Sequence, residues 1–202
     1  MVMKPFDLDI LLDCYRRGVF PMAESRCDST IFLVDPDRRG VIPLDGLHVS
    51  RSLRKFMRRM PFTITFDRCF EDVVTECARP TPDRQDTWIN SGILFLYSDL
   101  HRTGSAHSVE VWLNDRLIGG LYGVSIGAAF FGESMFSRQT NASKVALVKL
   151  VERLNAGGYR LLDTQFVTDH LKTLGAVEIS RAEYHKLLKE ALANEARFYP
   201  NS

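Results

Sequence analysis

Two rhythms of apolar residues divide the chain. The first is helical. Leu8, Leu11, Leu12 and Tyr15 recur at the spacing of one helix face, with Asp7 placed to cap the start and Gly18 to end it. Extended pieces are expected at 31–34 and 41–44, flanking the turn sequence Asp35-Pro36-Asp37-Arg38-Arg39-Gly40. Ser50 fits an N-cap, and Leu53, Phe56, Met57 and Met60 then form a single apolar stripe. Residues 62–66 alternate as a strand. Asp67 is expected to cap the helix that follows, whose buried face holds Phe70, Val73, Val74 and Cys77 and which stops at Pro80 and Pro82. Trp88-Ile89 leads into a further helix at 91–102, closed by Gly104.

The second rhythm has a period of two. Residues 107–113, 116–125 and 128–136 read as three strands joined by turns at Asn114-Asp115 and Gly127, which predicts an antiparallel meander. A helix through Val145, Leu147, Val148, Leu150, Val151 and Leu154 ends at Gly157-Gly158. A strand at 159–166 and helical pieces at 169–174 and 180–192 complete the chain. The pattern is that of an α/β (α+β) protein, with a small N-terminal lobe at 1–61 and a larger part at 62–202.

One stretch breaks the logic of packing. Phe130-Phe131-Gly132-Glu133-Ser134-Met135-Phe136 sets a carboxylate inside an apolar strand, and Arg138 ends the run. A charge is costly to bury unless it is paired. Either Glu133 faces solvent or the strand carries chemistry.

Composition narrows the choice without making it. At 202 residues, 45% apolar, 25% charged and a net charge of +1, the chain reads as soluble and globular, with no global attraction to polyanions. Residues 1–6 lack the apolar run of a signal peptide, and no stretch approaches the roughly 20 apolar residues that cross a bilayer. Cys14, Cys27, Cys69 and Cys77 form no CxxC pair and no metal-ligand spacing, so reduced thiols and a cytoplasmic setting are expected.

Charge is instead concentrated locally. Arg51, Arg54, Lys55, Arg58 and Arg59 fill the faces of one helix beside its apolar stripe, with no acidic residue between Asp45 and Asp67. Like charges four residues apart disfavour the isolated helix by a few tenths of a kcal/mol each. An anion-binding face is expected, for a phosphate backbone in the first instance. A peripheral membrane contact or a plain solvated helix has the same composition.

From residue 62 the order of elements resembles the acyltransferase fold of the GCN5-related N-acetyltransferases. A CoA enzyme of that fold needs a Gly-rich turn, so that backbone N–H groups can cradle the pyrophosphate. The corresponding turn here, Ser137-Arg138-Gln139-Thr140-Asn141-Ala142-Ser143, contains no glycine. Only the side chains of Arg138 and Lys144 are left to meet a phosphate. The acyl group is therefore expected to arrive on another carrier.

Several collinear segments carry a more specific resemblance. They are Tyr15-Arg16-Arg17-Gly18-Val19-Phe20-Pro21, Leu47-His48-Val49-Ser50-Arg51-Ser52, Thr87-Trp88-Ile89, His107-Ser108-Val109-Glu110-Val111-Trp112, Gly119-Gly120-Leu121-Tyr122-Gly123-Val124, residues 132–138 with Asn141-Ala142-Ser143-Lys144, Leu162-Asp163-Thr164-Gln165, Asp169-His170 and Leu174-Gly175-Ala176. The chain resembles the leucyl/phenylalanyl-tRNA–protein transferases over nearly its whole length. It begins about where the family's first shared helix begins. Met22 stands where the family often has Trp, and Thr168 where Asn is common. The resemblance implies transfer of Leu or Phe, and Met less readily, from aminoacyl-tRNA to the N-terminal Arg or Lys of a protein, which is thereby marked for N-end-rule degradation. It implies no metal and no organic cofactor, because the tRNA ester is already activated.

Roles follow from that chemistry. Asp163 and Gln165, two apart on a strand, are expected on one face, with Asp163 orienting the Gln165 amide toward the attacking amine. Glu133 is expected to hold the acceptor's cationic side chain, a task Asp163 could share, or else to accept a proton. By position in the family pattern, Leu121, Phe130, Met135 and Leu154 line the aminoacyl pocket, while Tyr15 and Trp88 flank the terminal adenosine. The basic helix meets the acceptor stem. The competing expectations are a CoA-dependent N-acyltransferase and a non-catalytic tRNA-binding module.

Overall fold

The period-two stretch folds into the meander that its turns predict. In the computed structural model, which describes residues 8–22, 32–81 and 87–200, strands β5 (Ala106–Leu113), β6 (Arg116–Ile126) and β7 (Ala129–Ser137) pair antiparallel in succession. Asn114 and Asp115, at φ of 49° and 58°, supply the left-handed pair that a tight hairpin with the twist of its strands requires. The expectations for Asp7, Cys27 and Ile31 lie outside the described residues.

Helices reach the sheet where local caps start them. Ahead of the meander come α1 (Leu8–Arg16), β1 (Phe20–Met22), β2 (Phe32–Val34), β3 (Arg38–Val41), α2 (Arg51–Arg59), β4 (Thr63–Phe66), α3 (Phe70–Cys77) and α4 (Ser91–Arg102). Ser50 caps α2 by accepting from the Leu53 amide, and Asn90 caps α4 by accepting from that of Ile93. After the meander follow α5 (Ala142–Ala156), β8 (Leu161–Gln165), α6 (Asp169–Lys172), β9 (Val177–Ser180) and α7 (Arg181–Leu192).

Seven strands form one mixed sheet in the order β4-β5-β6-β7-β8-β3-β9, while β1 and β2 pair separately. All its pairings are antiparallel except β7 with β8, which run parallel across the α5 connection. The sheet draws on both sides of residue 61, since β3 lies between β8 and β9. Apolar clusters cover both faces. One gathers Leu11, Tyr15, Val74, Tyr97, Tyr122 and Phe131; the other gathers Leu121, Phe130, Val145, Leu150 and Leu154 beneath α5. Gly119 lets α5 approach, because a Cβ there would stand 2.5 Å from that of Ala142. Among the described residues no helix is long and apolar enough to cross a membrane. Cys14 and Cys69 are free thiols.

Two local expectations are corrected, and one strand was not expected. The turn expected across 35–40 gives way at Arg38, where β3 begins, because β8 and β9 offer its backbone a partner on each side. Asp67 caps nothing. It adopts a φ of 59°, and its carboxylate accepts instead from the Ser108 amide, His107 Nδ1 and the Tyr199 hydroxyl, each at 2.7 Å. The strand at 177–180 had no expectation attached, and Ser180 serves as the N-cap of α7.

Candidate active site

The parallel pair β7/β8 holds together over only three steps, Ala129 to Phe131 against Leu161 to Asp163. Beyond them the strands part, and a cavity of about 440 Å³ occupies the gap. Leu121, Met135, Leu147, Leu150, Leu162 and Leu171 form its apolar wall, while Glu133, Thr164, Gln165, Thr168 and His170 supply polar groups. Alternation from Phe131 carries Glu133 to the face that holds Tyr15 and Tyr97. Against β6, Gly123 faces Gly132 while Tyr122 faces Ser134, so Glu133 is the extra residue of a β-bulge. The bulge also reverses the face of each later side chain. Phe131 and Phe136 accordingly share one cluster despite their odd and even numbers.

Buried to 9% exposure, Glu133 accepts from Tyr15 Oη at 2.7 Å, Tyr97 Oη at 2.9 Å and Gln165 Nε2 at 3.1 Å. The two tyrosine hydroxyls stand 2.5 Å apart. All three donors are neutral, and among the described residues no cation lies within ion-pair distance of Glu133. Burial pushes its carboxyl up to about 7, the three hydrogen bonds oppose that rise, and the nearby charge of Asp163 adds to it.

Asp163, fully buried on the adjacent strand, is saturated. Arg39 Nε and Nη2 donate to it at 3.0 and 2.6 Å, Tyr184 Oη at 2.7 Å and the Gln165 backbone amide at 2.7 Å. The guanidinium of Arg39 is 1% exposed, lies 4.5 Å from the Phe20 ring centre and 4.4 Å from that of Tyr184, and donates from Nη1 to the Gly18 carbonyl. Burial works against its charge, but the Asp163 contacts outweigh it and hold Arg39 above its ordinary value.

The Asp163–amide bond also fixes the backbone. Gln165 sits at a φ of 62°, and the Phe166 N–H returns to the Thr164 carbonyl at 2.6 Å, a three-residue turn of the rare, strained hand. Gly40 leaves room for it, since a Cβ there would lie 2.7 Å from the Phe166 carbonyl carbon. This corrects the expected geometry. Asp163 grips the main chain of Gln165, and it is Glu133 that orients the side-chain amide.

Of the residues named from sequence, Glu133, Gln165, Leu121 and Met135 line the cavity. Phe130 and Leu154 do not; both are fully buried, with Phe130 against Tyr159 and Phe198. Tyr15 is likewise closed to solvent and committed to Glu133, so it offers no face to a base. Half-buried Trp88 packs against the first cluster. Arg51, Arg54, Lys55, Arg58 and Arg59 stand exposed along α2, and Leu53 is buried beneath them. Arg138 Nε is tied to Glu76 at 2.8 Å, and Lys144 Nζ to Thr173 at 3.1 Å. At the glycine-free turn the Ser143 amide already donates to Ser137 Oγ.

Sequence reasoning missed Arg39, Tyr97 and Tyr184. Their signal was faint: a buried tyrosine needs a partner for its hydroxyl, but only the fold reveals which tyrosines are buried. The wall residues Leu147, Leu150, Leu162 and Leu171 were indistinguishable from ordinary core.

Known proteins with the same sequence pattern share one description. The model of the family "Leucyl/phenylalanyl-tRNA protein transferase" matches residues 41–189. A Maricaulis maris protein named leucyl/phenylalanyl-tRNA–protein transferase is 59% identical over 97% of this chain and 91% of its own. Proteins of the same name from Phenylobacterium zucineum and Caulobacter vibrioides are 59% and 56% identical, over 98% and 96% of this chain and 89% of each of theirs. Among solved structures, a functionally unknown conserved protein of Staphylococcus epidermidis aligns at a TM-score of 0.44 and 10% identity, covering 88% of this chain and 66% of that one, too distant to carry an argument. With identity this high across almost the full length of both partners, the chain belongs to the leucyl/phenylalanyl-tRNA protein transferase family.

Proposed function

We propose that the protein transfers Leu or Phe, and Met less readily, from aminoacyl-tRNA to the N-terminal Arg or Lys of acceptor proteins, whose new N-terminus marks them for N-end-rule degradation. The observation that carries this reading is a cavity joining an apolar wall to a buried carboxylate, Glu133, that has no cation of its own among the described residues. The wall suits an aliphatic or aromatic aminoacyl side chain, and the adaptable thioether of Met135 suits acceptance of both. The unbalanced carboxylate suits a cationic acceptor, because a guanidinium or ammonium offsets the cost of burying it.

The reaction is ester aminolysis. The acceptor's uncharged α-amine attacks the ester carbonyl carbon, the C–N bond forms, and the C–O bond to the ribose breaks. Gln165 donates to Glu133, which leaves its amide oxygen free to accept from the amine and aim the lone pair. Asp163, already accepting from four donor groups, acts as a positioning residue rather than a base. The amine's proton passes to the departing ribose oxygen, directly or through water. Arg51, Arg54, Lys55, Arg58 and Arg59 meet acceptor-stem phosphates, so binding depends steeply on salt and weakly on tRNA sequence.

The same reading extends to the scaffold. A meander, a helix and a parallel strand with the cavity in the parting support a GCN5-related N-acetyltransferase-like arrangement. Residues 62–202 are then the catalytic part, and 1–61 a small lobe that contributes the basic helix and Arg39. The reading puts the protein in the cytoplasm, where charged tRNA is found.

The test is to charge tRNA with labelled Leu or Phe and offer peptides that differ only in an N-terminal Arg or Asp. Label is expected on the Arg peptide alone. No label on either peptide from folded protein sinks the reading.

A further inference from the structure

We infer that Thr164 and His170 form the oxyanion hole of the transfer reaction, donating hydrogen bonds to the ester carbonyl oxygen as it gains charge. The inference rests on the transferase reading and deepens it. When the amine attacks, the C–N bond forms and the carbonyl's π pair moves onto oxygen. That pair returns as the C–O bond to the ribose breaks and the ribose oxygen takes the amine's proton. Donors fixed in advance around such an oxygen, in a site closed to water, supply much of the acceleration of acyl transfer. Neither Glu133 nor Gln165 is placed to do so, since the carboxylate only accepts and the amide nitrogen is engaged with it.

In the cavity wall, Thr164 Oγ1 and His170 Nε2 are buried with no hydrogen-bond partner among the described residues. By contrast, two other hydroxyls of the same wall are engaged. Thr168 Oγ1 accepts from the Leu171 amide at 3.3 Å, and Ser137 Oγ donates to the Gln139 carbonyl at 2.6 Å. A polar atom shut off from water and left unmatched is costly, and it calls for a ligand that matches it.

Placement and charge both suit a developing anion. Thr164 shares with Leu162 the face of β8 that looks onto the cavity, one residue before the amide that aims the amine. His170 comes from α6, just past the strained turn at Gln165. Burial, and after it the charge of Lys144, holds its imidazole below the ordinary value, so the ring is neutral at pH 7 and gives its one proton from Nε2. Lys144 itself is tied to Thr173 Oγ1 at 3.1 Å, beside the end of α6. The carboxylate next in sequence, Asp169, is exposed and paired with Lys172 at 3.2 Å. A cation in this corner favours an oxyanion and repels a second ammonium. The cavity therefore has a cation-seeking end at Glu133 and an anion-seeking end at His170, and the Asp169-His170 segment gains a role.

The experiment measures single-turnover transfer at saturating donor and acceptor for wild type, Thr164→Val, Thr164→Ser, His170→Phe and His170→Gln. Loss of either donor, in Thr164→Val or His170→Phe, should slow the chemical step roughly 100- to 1,000-fold. Thr164→Ser and His170→Gln keep an O–H or N–H and should stay within about tenfold of wild type. Two unreactive donor analogues separate this role from a structural one. An amide-linked aminoacyl-tRNA, whose carbonyl is planar, should bind every variant within about twofold of wild type. A phosphonate-linked one, tetrahedral and anionic, should bind wild type roughly 100-fold more tightly than the amide, and Thr164→Val and His170→Phe should lose that margin. Thermal melts show that each variant is folded. A rate within about threefold of wild type in Thr164→Val or His170→Phe overturns the assignment of that residue. Binding of the amide analogue that weakens in step with the rate overturns the inference as well, because both residues would then hold the ground state or the fold. Absence of transfer by wild type would overturn the transferase reading itself, a distinct result.

Discussion

Two buried carboxylates lie close to the parting of β7 and β8, and the fold treats them in opposite ways. Asp163 is given a full countercharge: the Arg39 guanidinium bonds it at two positions, with Tyr184 and a backbone amide filling the remaining directions. Glu133 is given only neutral donors, Tyr15, Tyr97 and the Gln165 amide, and its carboxyl is pushed up to about 7. A balanced buried charge builds geometry, because each bond to it fixes a neighbour. An unbalanced one leaves a demand that a ligand can meet. The first sets the Gln165 turn; the second waits in the cavity.

The comparison breaks most directly at Arg39. Arg39→Ala strips the cation from a fully buried carboxylate, and a loss of about 3–5 kcal/mol in urea unfolding is expected. Adding Asp163→Asn should return part of it. A loss below about 1 kcal/mol would show that the pair does not hold this part of the sheet.

Glu133→Gln should act the other way round. Transfer to an Arg-start peptide should fall roughly 30- to 1,000-fold, the effect of removing one member of a buried charge pair. Folding stability at pH 8 should not fall, since a costly charge has gone. The sign with pH follows from the raised carboxyl. The contribution of Glu133 to stability is fully present below its unfolded value of 4.5 and is lost as pH rises through about 7. Denaturation of wild type against Glu133→Gln should therefore show wild type losing ground between these limits and levelling off above them. The acceptor KM should rise as pH falls below about 7 in wild type, and this part of its pH dependence should vanish in the variant. A parallel shift in both proteins would remove Glu133 from acceptor binding.

The smallest effect on stability is expected at the turn. Gln165→Gly relieves the left-handed conformation but costs chain entropy, each by about 1 kcal/mol, so stability should change by less than that. Transfer should nonetheless collapse, because the amide that aims the amine is gone. Retained transfer would make Gln165 dispensable.

Much of the scaffold was legible because its instructions are local. Helix α4 runs from Ser91 to Arg102 as the sequence predicts, and its Asn90 cap acts on a neighbour three residues away. The meander was legible for the same reason, since Asn114-Asp115 decides its hairpin unaided. Strand β3 was not. Arg38-Arg39-Gly40 reads as a turn until β8 and β9 arrive from more than 120 residues away to pair with it. That Phe130 and Leu154 stand outside the cavity wall has a related reason. Which apolar residues face a gap depends on where two parallel strands separate, and their own sequences do not record that.

Alone, the sequence determined the order of elements, the exposed basic helix, the glycine-free turn and the family. Each rests on residues read within a few positions or aligned end to end. Only the tertiary structure decided which carboxylate is paired and which side chains line the cavity. Glu133 is capped by tyrosines from two helices distant in the chain, and Asp163 is neutralised by a guanidinium 124 positions earlier. Burial and countercharge are properties of neighbours in space. The same Glu133 could have been solvated or catalytic until Tyr15, Tyr97 and Gln165 were brought to it.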